Sequence, residues 1–106
     1  MIVTTSAGIA GKRVTRTLGL VRGNTIRARH IGRDITAALR NLVGGEVSEY
    51  TKLMGEAREQ ALDRMVEEAR DLGADAVVDV RFQTSMVVTG AAELLAYGTA
   101  VKLQDE

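Results

Sequence analysis

The chain contains no cysteine, and that absence removes several functions at once. Disulfides, thiolate metal centres and cysteine nucleophiles are all excluded. The redox compartment stays open. Aromatic residues are scarce: Tyr50, Phe82 and Tyr97 make up 3% of the chain. The core must rest on Val, Leu, Ile, Ala and Met, and a small aliphatic core of this kind often goes with further apolar burial between subunits. So few aromatics leave little surface for base stacking, and nucleic acid is not an expected partner. No apolar run approaches the roughly 18 residues that a membrane span needs. Met1 to Lys12 has no basic segment ahead of an apolar run, so no secretory signal is expected. The expectation is a soluble, cytoplasmic protein with no membrane partner and no cofactor.

At 106 residues, the chain fits a single domain over residues 1–106 with a modest core. Its hydrophobic fraction of 45% is that of a globular protein. Net charge is zero, but it is unevenly divided. Met1 to Gly45 holds eight basic residues and one acid, Asp34, for +7. Glu46 to Glu106 holds six basic and thirteen acidic residues, for −7. Three arrangements are open. The halves can interleave and neutralise each other, the first half can offer a basic surface to an anionic partner, or the two can meet between subunits.

Met1 to Thr5 is rich in β-branched residues and predicts a short strand. Ser6 to Gly11 predicts a loop. Val14 to Ala28 is β-like and interrupted at Gly23-Asn24, either by a hairpin turn or by a kink; one long, bent strand is the favoured reading. Ile31, Ile35, Ala38, Leu39 and Leu42 recur at helical spacing, predicting a short helix that ends at Gly44. Ser48 is placed to cap a second helix. Over Glu49 to Leu72 that helix carries one apolar stripe: Tyr50, Leu53, Met54, Ala57, Ala61, Met65, Ala69 and Leu72. Gly73 closes it. Ala76 to Val88 predicts a strand with Val78, Val80 and Phe82 on one face. Thr89-Gly90-Ala91-Ala92 predicts a turn. Leu94 to Leu103 returns with Leu95, Tyr97, Thr99, Val101 and Leu103 on one side. The order ββααββ implies α+β, with helices on one face of a mainly antiparallel sheet.

The order and spacing of these pieces resemble the YbjQ-like family of small bacterial and archaeal proteins, which is sometimes labelled heavy-metal-binding. The likeness covers nearly the whole chain. It runs through Met1-Ile2-Val3-Thr4-Thr5, Gly11-Lys12, Leu18-Gly19-Leu20-Val21-Arg22-Gly23, Arg33-Asp34-Ile35 and Val43-Gly44-Gly45. It continues through Tyr50, Ala57-Arg58-Glu59-Gln60-Ala61, Leu72-Gly73-Ala74-Asp75-Ala76-Val77-Val78 and Gly98-Thr99-Ala100-Val101. The resemblance implies an α+β fold assembled as a symmetric homopentameric ring. It implies no activity. The chain departs from the family in three places. Glu46 stands where the family usually has Arg, His30-Ile31-Gly32 replaces an Asn-Ile-Phe-like run, and Leu18 stands where some members carry Cys. Any ligand role of the missing Arg or Cys does not transfer.

Soft metals prefer thiolate and imidazole, and His30 alone cannot supply the four ligands of a structural zinc site. A ring could bring several His30 copies together; a satisfied or solvated histidine is the plainer reading. Glu56, Glu59, Asp63, Glu67 and Asp71 share one helix face. Like charges at that spacing cost roughly 0.2–0.5 kcal/mol each. The stripe reads as a solvated face relieved by Arg64 and Arg70, as a contact for a neighbour's arginines, or as a hard-cation site. Arg33-Asp34 reads as a structural pair or as an anion pocket at a helix end. Glu46 and Tyr50 complete the ligand or interface candidates. Gly44-Gly45 lacks the Lys-Ser/Thr of a phosphate loop, and Ser48 has no activating partner. The expectation is a non-enzymatic, ring-forming binding or scaffold protein. A ring with small-ligand, anion or metal-ion sites at subunit interfaces and an interface enzyme stay open as alternatives.

Overall fold

The β-branched and alternating stretches come together in one sheet. The computed structural model describes residues 1–27, 44–88 and 91–106. In chain order these form β1 (Ile2–Val3), β2 (Lys12–Arg27), α1 (Gly44–Asp71), β3 (Ala76–Val88) and β4 (Ala91–Asp105). The strand order across the sheet is β1-β3-β4-β2. β4 pairs antiparallel with both β2 and β3, and β1 runs parallel to β3. The class is α+β, as expected. β2 passes straight through Gly23-Asn24 as one strand, while Ala91 and Ala92, expected in a turn, belong to β4. The expected short helix over Ile31 to Leu42 lies outside the described residues, so ββααββ is matched with one helix.

α1 starts earlier than its capping signal. It runs from Gly44, so Ser48 lies within the helix and does not cap it. A glycine inside a helix costs only about 1 kcal/mol, less than a favourable extension can return. The C-terminus ends as expected. Gly73 takes φ of +77°, which a glycine adopts without a Cβ clash. Gly73 N–H donates to the Arg70 carbonyl at 2.9 Å and Ala74 N–H to the Ala69 carbonyl at 3.0 Å. These two bonds make a Schellman closure.

The core lies between α1 and the face of the sheet formed by β2 and β4. Ala57, Ala61, Met65 and Ala69 recur every four residues on α1, and all are buried. Ala61, Met65 and Ala69 meet Val21, Val77, Val80, Ala96 and Ala100. Three of the four helix positions are alanine, so the helix sits very close to the sheet. Gly23 makes that approach possible. A Cβ added there would lie 2.2 Å from the Ala61 carbonyl oxygen and 2.4 Å from the Met65 nitrogen. Both are backbone atoms that cannot swing aside. Arg64 donates to the Asn24 carbonyl, and the buried Thr25 hydroxyl donates to the Ala57 carbonyl at 3.4 Å, on either side of this contact. Leu72, expected in the buried stripe, is exposed because the helix axis ends there.

A smaller cluster sits on the other face, where Ala76, Val78 and Val101 pack with Ile9 and Leu103. Val78 was expected to share a face with Val80. An irregularity between Val78 and Arg81 separates them. Asp79 adopts φ of +54° there. The extra residue shifts the alternation, so Val77 and Val80 face α1 while Val78 faces away. β1 braces the bulge: Asp79 N–H donates to the Ser6 carbonyl at 2.9 Å and Val80 N–H to the Thr4 carbonyl at 3.0 Å.

Asp75 ties the end of α1 to β4. Its carboxylate accepts the Leu103 N–H at 2.8 Å and the Lys102 ammonium at 3.3 Å. Lys102 also donates to the Gly73 carbonyl at 2.9 Å, at the negative end of the helix dipole. The Leu103 N–H first, then Lys102, hold the Asp75 carboxyl below its usual value of 3.8. Lys12 does the same for Asp105.

Two predictions follow from these contacts. Gly23→Ala should destabilise the fold by about 3 kcal/mol, the upper end for overpacking, because backbone must move. Gly8→Ala, whose Cβ would meet nothing within 4 Å, should be nearly neutral. Urea unfolding of both variants checks this, and equal midpoints would refute the close approach. For Asp75, a folded pKa below the unfolded one gives stability that is fully present above the unfolded value. That stability is lost as pH falls through the lower, folded value. Asp75→Asn should therefore lower stability at neutral pH and flatten its loss on the acid side of pH 3.8. Denaturation midpoints measured across that pH range would show it. Parallel curves for the two proteins would exclude the link.

Candidate functional site

α1 lies over β2 and β4 and leaves most of β3 bare. β3 from Arg81 to Met86 is exposed throughout. Pairing places Phe82, Thr84 and Met86 opposite Ala96, Leu94 and Ala92, so they project on the helix side. Between them and the flank of α1 runs an open groove of about 910 Å³. Glu56, Glu59 and Asp63 line it from the helix, with Arg58 among them, and Phe82 lines it from the sheet. Leu62 sits at its base, half-buried against the core. Glu56, Glu59, Asp63 and Glu67 make no ion pair among the described residues.

The structure thus brings together three of the five acidic residues of the helix stripe. Glu67 and Asp71 are exposed on α1 but do not line the groove. Glu46 and Tyr50 lie on the first turns of α1, with side chains outside the described residues. His30, Arg33 and Asp34 fall outside the described residues altogether. The groove also contains residues that the sequence did not single out. Phe82 was expected only to share a strand face with Val78 and Val80, and it is 45% exposed. Arg58 was read only as part of a family motif. The break in alternation at Asp79 was the one available signal, and it was hidden because Asp in a strand reads simply as a polar face.

The sheet face away from α1 has a different character. Val21, Gly23 and Thr25 are buried toward the helix, so Leu20, Arg22, Asn24 and Ile26 point the other way. Leu20 and Ile26 are 63% and 60% exposed. Register sets Arg22 beside Tyr97 and Tyr97 beside Arg81, in one row across the sheet. The Arg81 guanidinium donates to the Thr5 and Val80 carbonyls, each at 2.9 Å. Arg22 has no ion pair or hydrogen bond among the described residues.

A family model described as "Putative heavy-metal-binding" (YbjQ) matches residues 1–104. The chain belongs to the YbjQ family. It is 61% identical over 105 residues to a UPF0145 protein of Methanosarcina acetivorans, covering 99% of each chain. It is 62% identical to a UPF0145 protein of Halorubrum lacusprofundi, covering 98% of this chain and all of the other. Among solved structures it is similar to a DUF74-family protein of unknown function from Pediococcus pentosaceus. That match has a TM-score of 0.66 at 16% identity and covers 98% of both chains. At that identity the likeness concerns the fold.

The donor set does not fit the heavy metal in the YbjQ family's description. The chain has no thiolate and a single histidine, His30. Among the described residues no three His, Cys, Asp or Glu side chains converge as metal ligands. Glu56, Glu59 and Asp63 are spread along a straight helix, whereas hard cations want six or more oxygens wrapped around one point. Leu18, where some YbjQ members carry Cys, packs half-buried against the main core cluster. Titration calorimetry of tag-free protein with zinc, copper or cadmium should therefore show no sub-micromolar site. A tight site that survives His30→Ala would mean that carboxylates hold a metal after all.

Proposed function

We propose that this YbjQ-family chain is a self-assembling, non-catalytic binding or scaffold protein of the cytoplasm. Its first partner is itself, in a homo-oligomer, and the family resemblance favours a pentameric ring. The observation that supports this reading is the amount of apolar sheet left uncovered. Leu20, Ile26, Phe82 and Met86 are all exposed, on both faces of the sheet. A monomer rarely leaves large apolar side chains grouped in this way without a partner surface. Shape points the same way. The Cα radius of gyration is 17.0 Å, against about 13 Å for a compact domain of about 100 residues. The subunit measures 55 × 25 × 16 Å, too thin to shield both faces of its own sheet.

The non-catalytic reading rests on the groove's chemistry. Carboxylates and an arginine line it, but among the described residues no hydroxyl, thiol or imidazole nucleophile stands beside a base. A second reading, a small-ligand, anion or metal-ion protein with sites at subunit interfaces, draws on the groove's size. About 910 Å³ lies within the range of small-molecule sites. Its openness to solvent favours a macromolecular surface over an enclosed ligand.

Size-exclusion chromatography with light scattering should give a mass several times the 11.4 kDa of one chain at micromolar concentration. A monomer would end the self-assembly reading. Native mass spectrometry of protein from its own host should give a stoichiometry that is an integral multiple of the chain. A retained small molecule in that spectrum would favour the second reading.

A further inference from the structure

The two uncovered surfaces of this subunit differ in charge as well as position. The groove beside α1 presents Glu56, Glu59 and Asp63, with Arg58 as the one cation of its lining, next to Phe82. The opposite sheet face presents Arg22 and Arg81 around Tyr97, flanked by the exposed Leu20, with Glu93 farther along, where its carboxylate accepts from the Asn24 amide at 3.0 Å. Within one chain these groups do not meet. The ion pairs among the described residues are Lys12–Asp105, Arg81–Asp79 and Lys102–Asp75, and none joins a β2 arginine to the acidic flank of α1. The Arg81–Asp79 contact is loose, at 4.0 Å between half-exposed side chains. The sheet itself stands between the two surfaces, so no side-chain motion can pair them. Among the described residues no ion pair neutralises the groove carboxylates.

We propose that the helix-free face of one copy, centred on Leu20, Arg22 and Tyr97, seats in the groove between α1 and β3 of the next copy. The inference rests on the self-assembly reading and adds which surfaces meet. Charge decides the pairing. Groove on groove would set Glu59 and Asp63 against the same carboxylates, and face on face would set Arg22 against arginine. Like-charge contacts of that kind cost several kcal/mol and suppress wrong partners. Groove on face puts carboxylates beside guanidinium groups and Phe82 beside Leu20 and Tyr97. It buries apolar surface and pairs charge in the same contact. The two surfaces lie on opposite sides of one sheet, so the contact runs head to tail. Each copy then offers one of each surface to its neighbours, and a closed ring leaves neither unfilled.

The lack of native cysteine makes a direct test clean. One batch carries Leu20→Cys and another Phe82→Cys. Glu59→Cys, on the exposed flank of α1, replaces the second batch if Phe82→Cys weakens folding. The batches are dissociated, mixed, reassembled and treated with a short bis-maleimide. The mixture should yield a covalent dimer, and each batch alone should yield none. A dimer from Leu20→Cys alone would mean that like faces meet, and would overturn the proposal. An oligomer by light scattering that gives no mixed dimer would also overturn it while leaving self-assembly intact. A monomer would remove both. Charge reversal gives a second reading. Glu59→Lys with Asp63→Lys should raise the dissociation concentration about tenfold or more. Adding Arg22→Glu to that variant should recover much of the loss. A triple variant weaker than the double would show that Arg22 does not face the groove.

Discussion

The contact of α1 with β2 at Gly23 sets most of the rest of this structure. Here backbone meets backbone, with no side chain between the Gly23 Cα and the Ala61 carbonyl. The alanines at 57, 61 and 69 allow the approach from the helix side, and Gly23 allows it from the sheet. A second close approach occurs at Gly98 on β4. A Cβ there would come within 2.8 Å of Val77 Cγ1 and 2.9 Å of the Val78 carbonyl. With so little side-chain volume available, the core gains its stability from proximity. Among the described residues, Met65 is the one large side chain that α1 buries completely, wedged among small neighbours. Such packing is intolerant of added atoms.

A helix held that tightly to β2 and β4 cannot also cover β3. The groove beside Phe82 is therefore a direct consequence of where the small residues lie. The exposed sheet beyond Arg81 follows from the same fact, because β1 pairs only with the first residues of β3 and stops. Each uncovered surface inherits the charge of the element beside it. The acidic flank of α1 colours the groove, and the basic β2 colours the opposite face.

The junction after α1 joins these layers. Gly73 reverses the chain, and Lys102 donates to the Gly73 carbonyl just beyond the helix end. Asp75 accepts from Leu103 on β4 in the other direction. A single turn thereby fixes the helix axis relative to the strands. The bulge at Asp79, four residues further on, then decides which valines face the helix and which face away.

Much of this was legible in the sequence, and the reasons are local. The apolar positions Tyr50, Leu53, Met54, Ala57, Ala61, Met65 and Ala69 specified a helix, because mixed three- and four-residue spacing gathers on one face of a helix and not of a strand. Gly73 marked its end, since only glycine takes positive φ there without cost. Alternation over Leu94 to Leu103 specified a strand and its two faces. The motif order specified the family. Tertiary structure decided the remainder. The early start of α1, past the Ser48 capping signal, depends on context that a capping rule cannot see. The bulge at Asp79 moved Val78 off the face of Val80, and its one signal, the break in alternation there, reads equally as an ordinary polar position. Phe82 became a groove wall because the helix lies over β2. That choice is made by the fit of Gly23 to the Ala61 backbone, between residues far apart in the chain. Periodicity tells each element which of its sides is apolar. Only the packed structure settles which of those sides finds a cover within the subunit and which is left for another molecule.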